Sequence, residues 1–228
     1  MREIAISTQP IEQIGQVRFR ELLCGHNRER AAYDQLLLEV HECVVAPTLG
    51  SIVPNWLLVV PRRSVVNFRK WQAITSVDPV CLIGEILANL EIDPKRAIWF
   101  EHGPSAEGSP VGCGVDHAHL HVLVDAPFSF NQFAALAMKS ARVDWRRDLV
   151  RKAYDSISDG CSYLVGGYLN EAVLAEDVET VGSQFFRRVV AQLVGKPHQW
   201  NYKTYAHLEN AQRTVSAFNS RRALATAP

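Results

Sequence analysis

Apolar residues fall in short blocks along the chain, separated by Gly, Pro and Asn, and each block follows a strand or a helix period. Residues 11–34 are polar and charged, with Ile14, Val17, Leu22 and Leu23 spaced as a helical lead-in. Leu36 to Ala46 is rich in Leu and Val and reads as strand with a turn near His41 and Glu42. A turn-rich piece, Pro47 to Asn55, precedes Trp56-Leu57-Leu58-Val59-Val60, a short apolar run closed by Pro61 that predicts a buried strand. Val77 to Leu90 carries apolar residues at helical spacing behind Asp78 and Pro79, so a helix is expected. Ala97 to Phe100 reads as strand, residues 103–114 as a Gly- and Pro-rich loop, and Val115 to Val124 as strand by alternation. Ser129 is placed to cap a helix running to Arg142.

Past residue 150 the pattern changes. Tyr163 to Ala175 predicts a hairpin turning near Asn170, and Gly182 to Val194 an amphipathic helix with Arg187 and Arg188 on its exposed face. His207 to Arg221 predicts another helix. Trp145, Trp200, Tyr202 and Tyr205 read as packing residues, with a C-terminal lid as the sharper alternative. A soft boundary is expected at 145–155, dividing a domain over 1–150 from an extension over 151–228. The expected fold class is α+β: an antiparallel sheet with packed helices, plus a smaller C-terminal α/β extension.

The chemistry concentrates in one segment. Alternation puts His117, His119 and His121 on one strand face and Ala118, Leu120 and Val122 on the other. Only eight histidines occur in the chain, so three at period two are a concentration. Neutral imidazole is a nucleophile at neutral pH, and it leaves readily once protonated. One ring can therefore attack phosphorus while its neighbours hold phosphate oxygens. The glycines just upstream, Gly112 and Gly114 among them, can present backbone N–H groups to an anion. Two other readings stay open: histidines satisfied within the fold, and a zinc site, for which alternating histidines are good ligands.

Charge and cysteine usage narrow the setting. Lys+Arg and Asp+Glu are both 24, so bulk electrostatics argue against nucleic acid as a partner, though not against one nucleotide in a pocket. Five widely spaced cysteines with no Cys-x-x-Cys pair suggest reduced thiols. Met1 to Pro10 is not a signal peptide and no run is long enough for a membrane span, so a cytoplasmic protein without a membrane partner is expected.

His117-Ala118-His119-Leu120-His121-Val122-Leu123-Val124 resembles the signature of the histidine-triad (HIT) superfamily. Ile52 to Arg63 is similar to that family's strand leading into a Pro-basic-basic turn, and the resemblance covers about residues 33–127. Gly182 to Ala191, Trp200-Asn201-Tyr202 and Glu209-Asn210 resemble the tail of CwfJ-type relatives. The resemblance implies a nucleotide hydrolase or nucleotidyltransferase acting at an α-phosphate. His119 would form a nucleotidyl-histidine, supported by His117 and His121, and Cys113 would lie near the leaving group. Trp56 and Ser64 stand where many members carry histidine, and Thr48 where many carry the acidic residue that contacts ribose. These departures make a non-nucleotide phosphate ester or a changed acceptor an alternative.

The expected substrate-binding residues are His102, Cys113, Gly112, Gly114, Trp56 and Thr48, with no metal in the site and no cofactor. His102 is also a candidate, with Cys24, His26 and His117, for the structural zinc that some relatives carry. The expected partners are a nucleotide or related phosphate ester and a second copy of the chain. The competing functions are a nucleotide-binding module without turnover and a metal-dependent hydrolase.

Overall fold

The computed structural model describes Phe19, Leu22, Leu23 and residues 31–225. Most of the helical lead-in, together with Cys24 and His26 of the zinc expectation, lies outside the described residues. Among the described residues one sheet of eight strands runs β1 (Leu38–Val40), β2 (Cys43–Pro47), β3 (Trp56–Pro61), β4 (Ala97–Gly103), β5 (Leu120–Val124), β6 (Arg146–Leu149), β7 (Tyr163–Tyr168) and β8 (Glu171–Glu176). Its spatial order is β1-β2-β3-β5-β4-β7-β8-β6, and every neighbouring pair is antiparallel. Within residues 31–225 the α-helices that cover it are α1 (Phe68–Thr75), α2 (Pro79–Asn89), α3 (Phe130–Ser140), α4 (Phe185–Leu193) and α5 (Leu208–Ala225). The chain is α+β, and no described helix is long and apolar enough to cross a membrane.

Local sequence accounts for most elements. Asp78 accepts from the Val80 N–H and Pro79 opens α2, so the first orphan donors are met. Ser129 and Gln132 form the reciprocal capping box of α3. His41 and Glu42 both adopt positive φ, which makes the tight turn between β1 and β2. The two faces of the sheet bury separate cores. Trp99, Leu120, Val122, Tyr163 and Val165 pack with Trp71 of α1 and Leu82 and Ile86 of α2. Phe100, Leu123 and Leu164 pack with Phe133 of α3 and Phe186 and Val190 of α4. Each such side chain contributes about 1.5–3 kcal/mol on burial.

Three expectations are corrected. The strand expected from Val115 begins only at Leu120. Its ladder with β3 ends at the pair Val59 and Leu120, and Pro61, two residues beyond Val59, has no N–H to continue it. Instead the Ala118 N–H donates to the Val65 carbonyl, 2.6 Å away, and residues 115–119 run as irregular chain. Arg187 is not on an exposed face of its helix: it is 1% exposed, and Arg188 is partly buried. Finally, α1 and β6 form where no element was expected. Asn67 caps α1 by accepting from the Lys70 N–H, and β6 completes the sheet by pairing with β8. Because β7 pairs with β4, the sheet runs unbroken past the expected 145–155 boundary.

Candidate functional site

The start of β5 and the irregular chain before it form one wall of a cleft. Phe19, Thr48, Leu49, Leu58, Cys113, Val115, His119, His121, Arg187 and Tyr202 line it. His121 is held by its strand: it is the cross-strand partner of Leu58 on β3 and of Phe100 on β4. The Phe100 and His121 rings stack at 4.7 Å. The His119 and His121 rings meet edge to face at 5.2 Å, and Phe19 packs on both His117 and His119.

Obligate donors and acceptors around the four nearby histidines assign their tautomers. The His119 Nδ1 lies 2.8 Å from the His117 carbonyl oxygen, an acceptor only, so Nδ1 carries the proton and Nε2 carries the lone pair. His117 uses its Nε2–H in the same way, donating to the Pro61 carbonyl at 2.7 Å. Desolvation holds its pKa below the usual histidine value, against the opposing effect of that bond. At His121 the Trp56 indole N–H donates to Nδ1 at 3.0 Å, so the neutral ring carries its proton on Nε2. At His102 the Phe186 backbone N–H donates to Nε2 at 2.9 Å, so Nδ1 carries the proton and faces the Cys113 thiol at 3.5 Å.

His102 is thus committed on both nitrogens within the protein. It lies on β4, not in the loop, and it serves α4. That helix starts from Gln184 in the left-handed region with no side-chain cap. The His102 ring takes the Phe186 N–H, one of the orphan donors of the helix start. Burial drives the His102 pKa well below its ordinary value, helped by repulsion from His119 when that ring is protonated and from the positive charge of Arg188 and Arg187. Burial also pushes the Cys113 thiol up to about 12, despite the nearby arginines. Cys113 is therefore a neutral thiol in the cleft wall.

His102, Cys113 and His121 are also the one group among the described residues with metal-ligand spacing, their ligand atoms all lying within 4.8 Å of one another. They fit a metal poorly. Each ring already spends one lone pair on an N–H donor, so a cation would need either an imidazolate or the loss of the Phe186 or Trp56 bond. It would also need the thiolate of a cysteine held neutral.

Of the other expected substrate contacts, Thr48 lines the cleft at 2% exposed. Trp56 is buried behind His121 and orients that ring. Gly112 and Gly114 flank Cys113 in the loop, and Gly114 takes φ 75°, which favours glycine. The loop is anchored at its start by Asn67, whose amide donates to the Pro104 carbonyl at 2.7 Å. The triad does not open to one pocket as three equal members: His119 and His121 line the cleft, while His117 turns its Nε2–H to Pro61.

Arg187, expected on an exposed helix face, and Tyr202, expected as a packing or lid residue, both line the cleft. Arg187 donates through Nε to the Trp200 carbonyl at 3.0 Å and through Nη2 to the Gly50 carbonyl, and its guanidinium stacks 4.8 Å over the Trp56 ring. The Tyr202 hydroxyl donates to the Cys113 carbonyl at 3.3 Å. The sequence matches no protein-family model and no curated protein.

Proposed function

We propose that the cleft is a histidine-triad nucleotidyl-transfer site, in which His119 attacks the α-phosphorus of a nucleotide ester or anhydride. The observation that carries this reading is the His119 hydrogen bond to the His117 carbonyl, which leaves Nε2 as an unprotonated nucleophile on the cleft wall. Attack forms the phosphorus–Nε2 bond and breaks the bond to the leaving group, which departs with its electron pair. The ring becomes cationic while keeping its Nδ1 proton. The His117 carbonyl, already aligned with that proton, then accepts a charge-assisted bond, so the intermediate is stabilised more than the ground state. His121 packs edge to face on His119, with its ring oriented by the Trp56 indole and its neutral form protonated on Nε2. Water then attacks phosphorus, the bond to Nε2 breaks, the ring returns to its neutral tautomer, and the water proton goes to solvent. A nucleotidyl acceptor other than water would make the same site a transferase.

The test is a screen of nucleoside phosphoramidates, dinucleoside polyphosphates and nucleotide sugars, with and without a chelator. Turnover that persists under chelation is expected. Ligand binding without any turnover would favour a nucleotide-binding module, and turnover lost on chelation would favour a metal-dependent hydrolase.

A further inference from the structure

The C-terminal segment closes one side of the cleft through a short strap, residues 200–206. The Trp200 carbonyl accepts from Arg187, and the Gly50 N–H donates to the Ala206 carbonyl at 2.7 Å. At Gly50 a side chain would place its Cβ 2.4 Å from the Tyr202 Cβ, so the strap lies directly on the 48–50 turn. Asn201 shapes the strap, accepting from the Lys203 N–H at 3.0 Å on its side chain and from the Thr204 and Tyr205 N–H groups on its carbonyl. This turn sends Tyr202 into the cleft and brings Lys203 over the glycine loop. A Cβ built on Gly114 would lie 3.7 Å from the Lys203 Nζ. Among the described residues no carboxylate pairs with Lys203.

Arg187 and Arg188 both act as positive charges on Cys113 and on His102. A buried guanidinium behind the floor and an ammonium at the loop make a site whose positive charge is set by the fold. We propose that Lys203 is an anion-binding residue of this cleft, with Arg187 as the fixed positive charge behind it, so that the C-terminal strap selects ligands carrying charged phosphate groups. The proposal rests on the reading of the cleft as a phosphate-ester site, and it adds a residue outside the triad that sets which esters enter.

Lys203 is half-buried and its side chain makes no hydrogen bond among the described residues, so Lys203→Gln should keep the fold. The experiment is calorimetric titration of the full chain with inorganic pyrophosphate at low and high salt, for the wild type, Lys203→Gln and Lys203→Arg. The wild type should bind pyrophosphate, and more weakly in salt. Lys203→Gln should weaken binding about fivefold, with an unchanged melting temperature, and Lys203→Arg should restore it. A wild type that does not bind pyrophosphate overturns the proposal. So does Lys203→Gln binding as the wild type does, or Lys203→Arg binding as weakly as Lys203→Gln. Adduct mapping at His119 tests the nucleophile separately, so failure of that reading and failure of the strap give different results.

Discussion

Strand β4 carries two buried polar clusters one residue apart, on opposite faces of the sheet. On one face Glu101 accepts from the Phe68 N–H at 2.7 Å and from the Tyr154 and Tyr163 hydroxyls at 2.8 Å each. On the other face His102 joins Cys113, His119 and His121 at the cleft. Both faces bury polar groups, yet they use them differently. The Glu101 cluster spends its donors and acceptors inside the protein and fixes the start of α1, whose cap residue Asn67 holds the loop at Pro104. In the cleft cluster each ring is pinned at one nitrogen by an obligate partner, which fixes what the other nitrogen offers. A pinned ring on a cleft wall has a determined second nitrogen, which the proposed chemistry would use, whereas a carboxylate with three internal donors holds the fold together.

Substitutions should separate the two. His119→Ala should lower turnover by at least about 10³-fold while leaving the unfolding midpoint nearly unchanged, because a covalent catalyst contributes little to ground-state binding. Kinetics and thermal melts on one preparation check this, and an equal loss of activity and stability would erase the contrast.

Glu101→Ala should act in the opposite sense. It strands two tyrosine hydroxyls and one backbone N–H in the core and should cost about 3–5 kcal/mol in urea denaturation. The same cluster gives a pH dependence. Burial raises the Glu101 carboxyl from its ordinary 4.5 to about 7, against the bonds from Phe68, Tyr163 and Tyr154. Folding therefore favours its protonated form. This contribution is complete below about 4.5 and is lost as pH rises through about 7. Urea midpoints should fall between those limits in the wild type, and Glu101→Gln should remove that part of the slope.

Trp56→Phe tests whether pinning matters on the cleft face. It removes the donor to His121 and should cost about 1–2 kcal/mol of stability and roughly tenfold in turnover, as His121 gains access to its other tautomer. Nitrogen chemical shifts of the His121 ring would report the tautomer, and unchanged shifts would show that something other than Trp56 fixes it. The smallest effect is expected at Cys113. With its thiol at about 12, it should resist iodoacetamide at pH 8 while exposed Cys81 reacts, and Cys113→Ala should keep turnover within about threefold.

The sequence made the cleft face more legible than the face behind it. The period-two histidines pointed to the site because the pattern is local, and the capped helices α2 and α3 were readable from Asp78-Pro79 and Ser129 for the same reason. What was missed depends on distant partners. Arg187 follows Phe185 and Phe186 in a helical pattern that suits a solvent-facing residue, and only the carbonyls of Gly50 and Trp200 make its burial tolerable. The late start of β5 follows from Pro61 on a neighbouring strand. Glu101 left a usable signal, a lone acid directly after the apolar run Ile98-Trp99-Phe100, as did Asn67 ahead of Phe68 and Trp71 at helical spacing.

The central claim, that His119 Nε2 is the nucleophile, is tested most directly by rapid acid-free quenching of the enzyme with a reactive nucleotide ester, followed by peptide mass mapping. The account predicts a nucleotidyl group on the peptide containing His119, absent from His119→Ala and released from the wild type at the rate of turnover. Turnover with no phosphorus adduct, or an adduct mapped to His117 or His121, would contradict it.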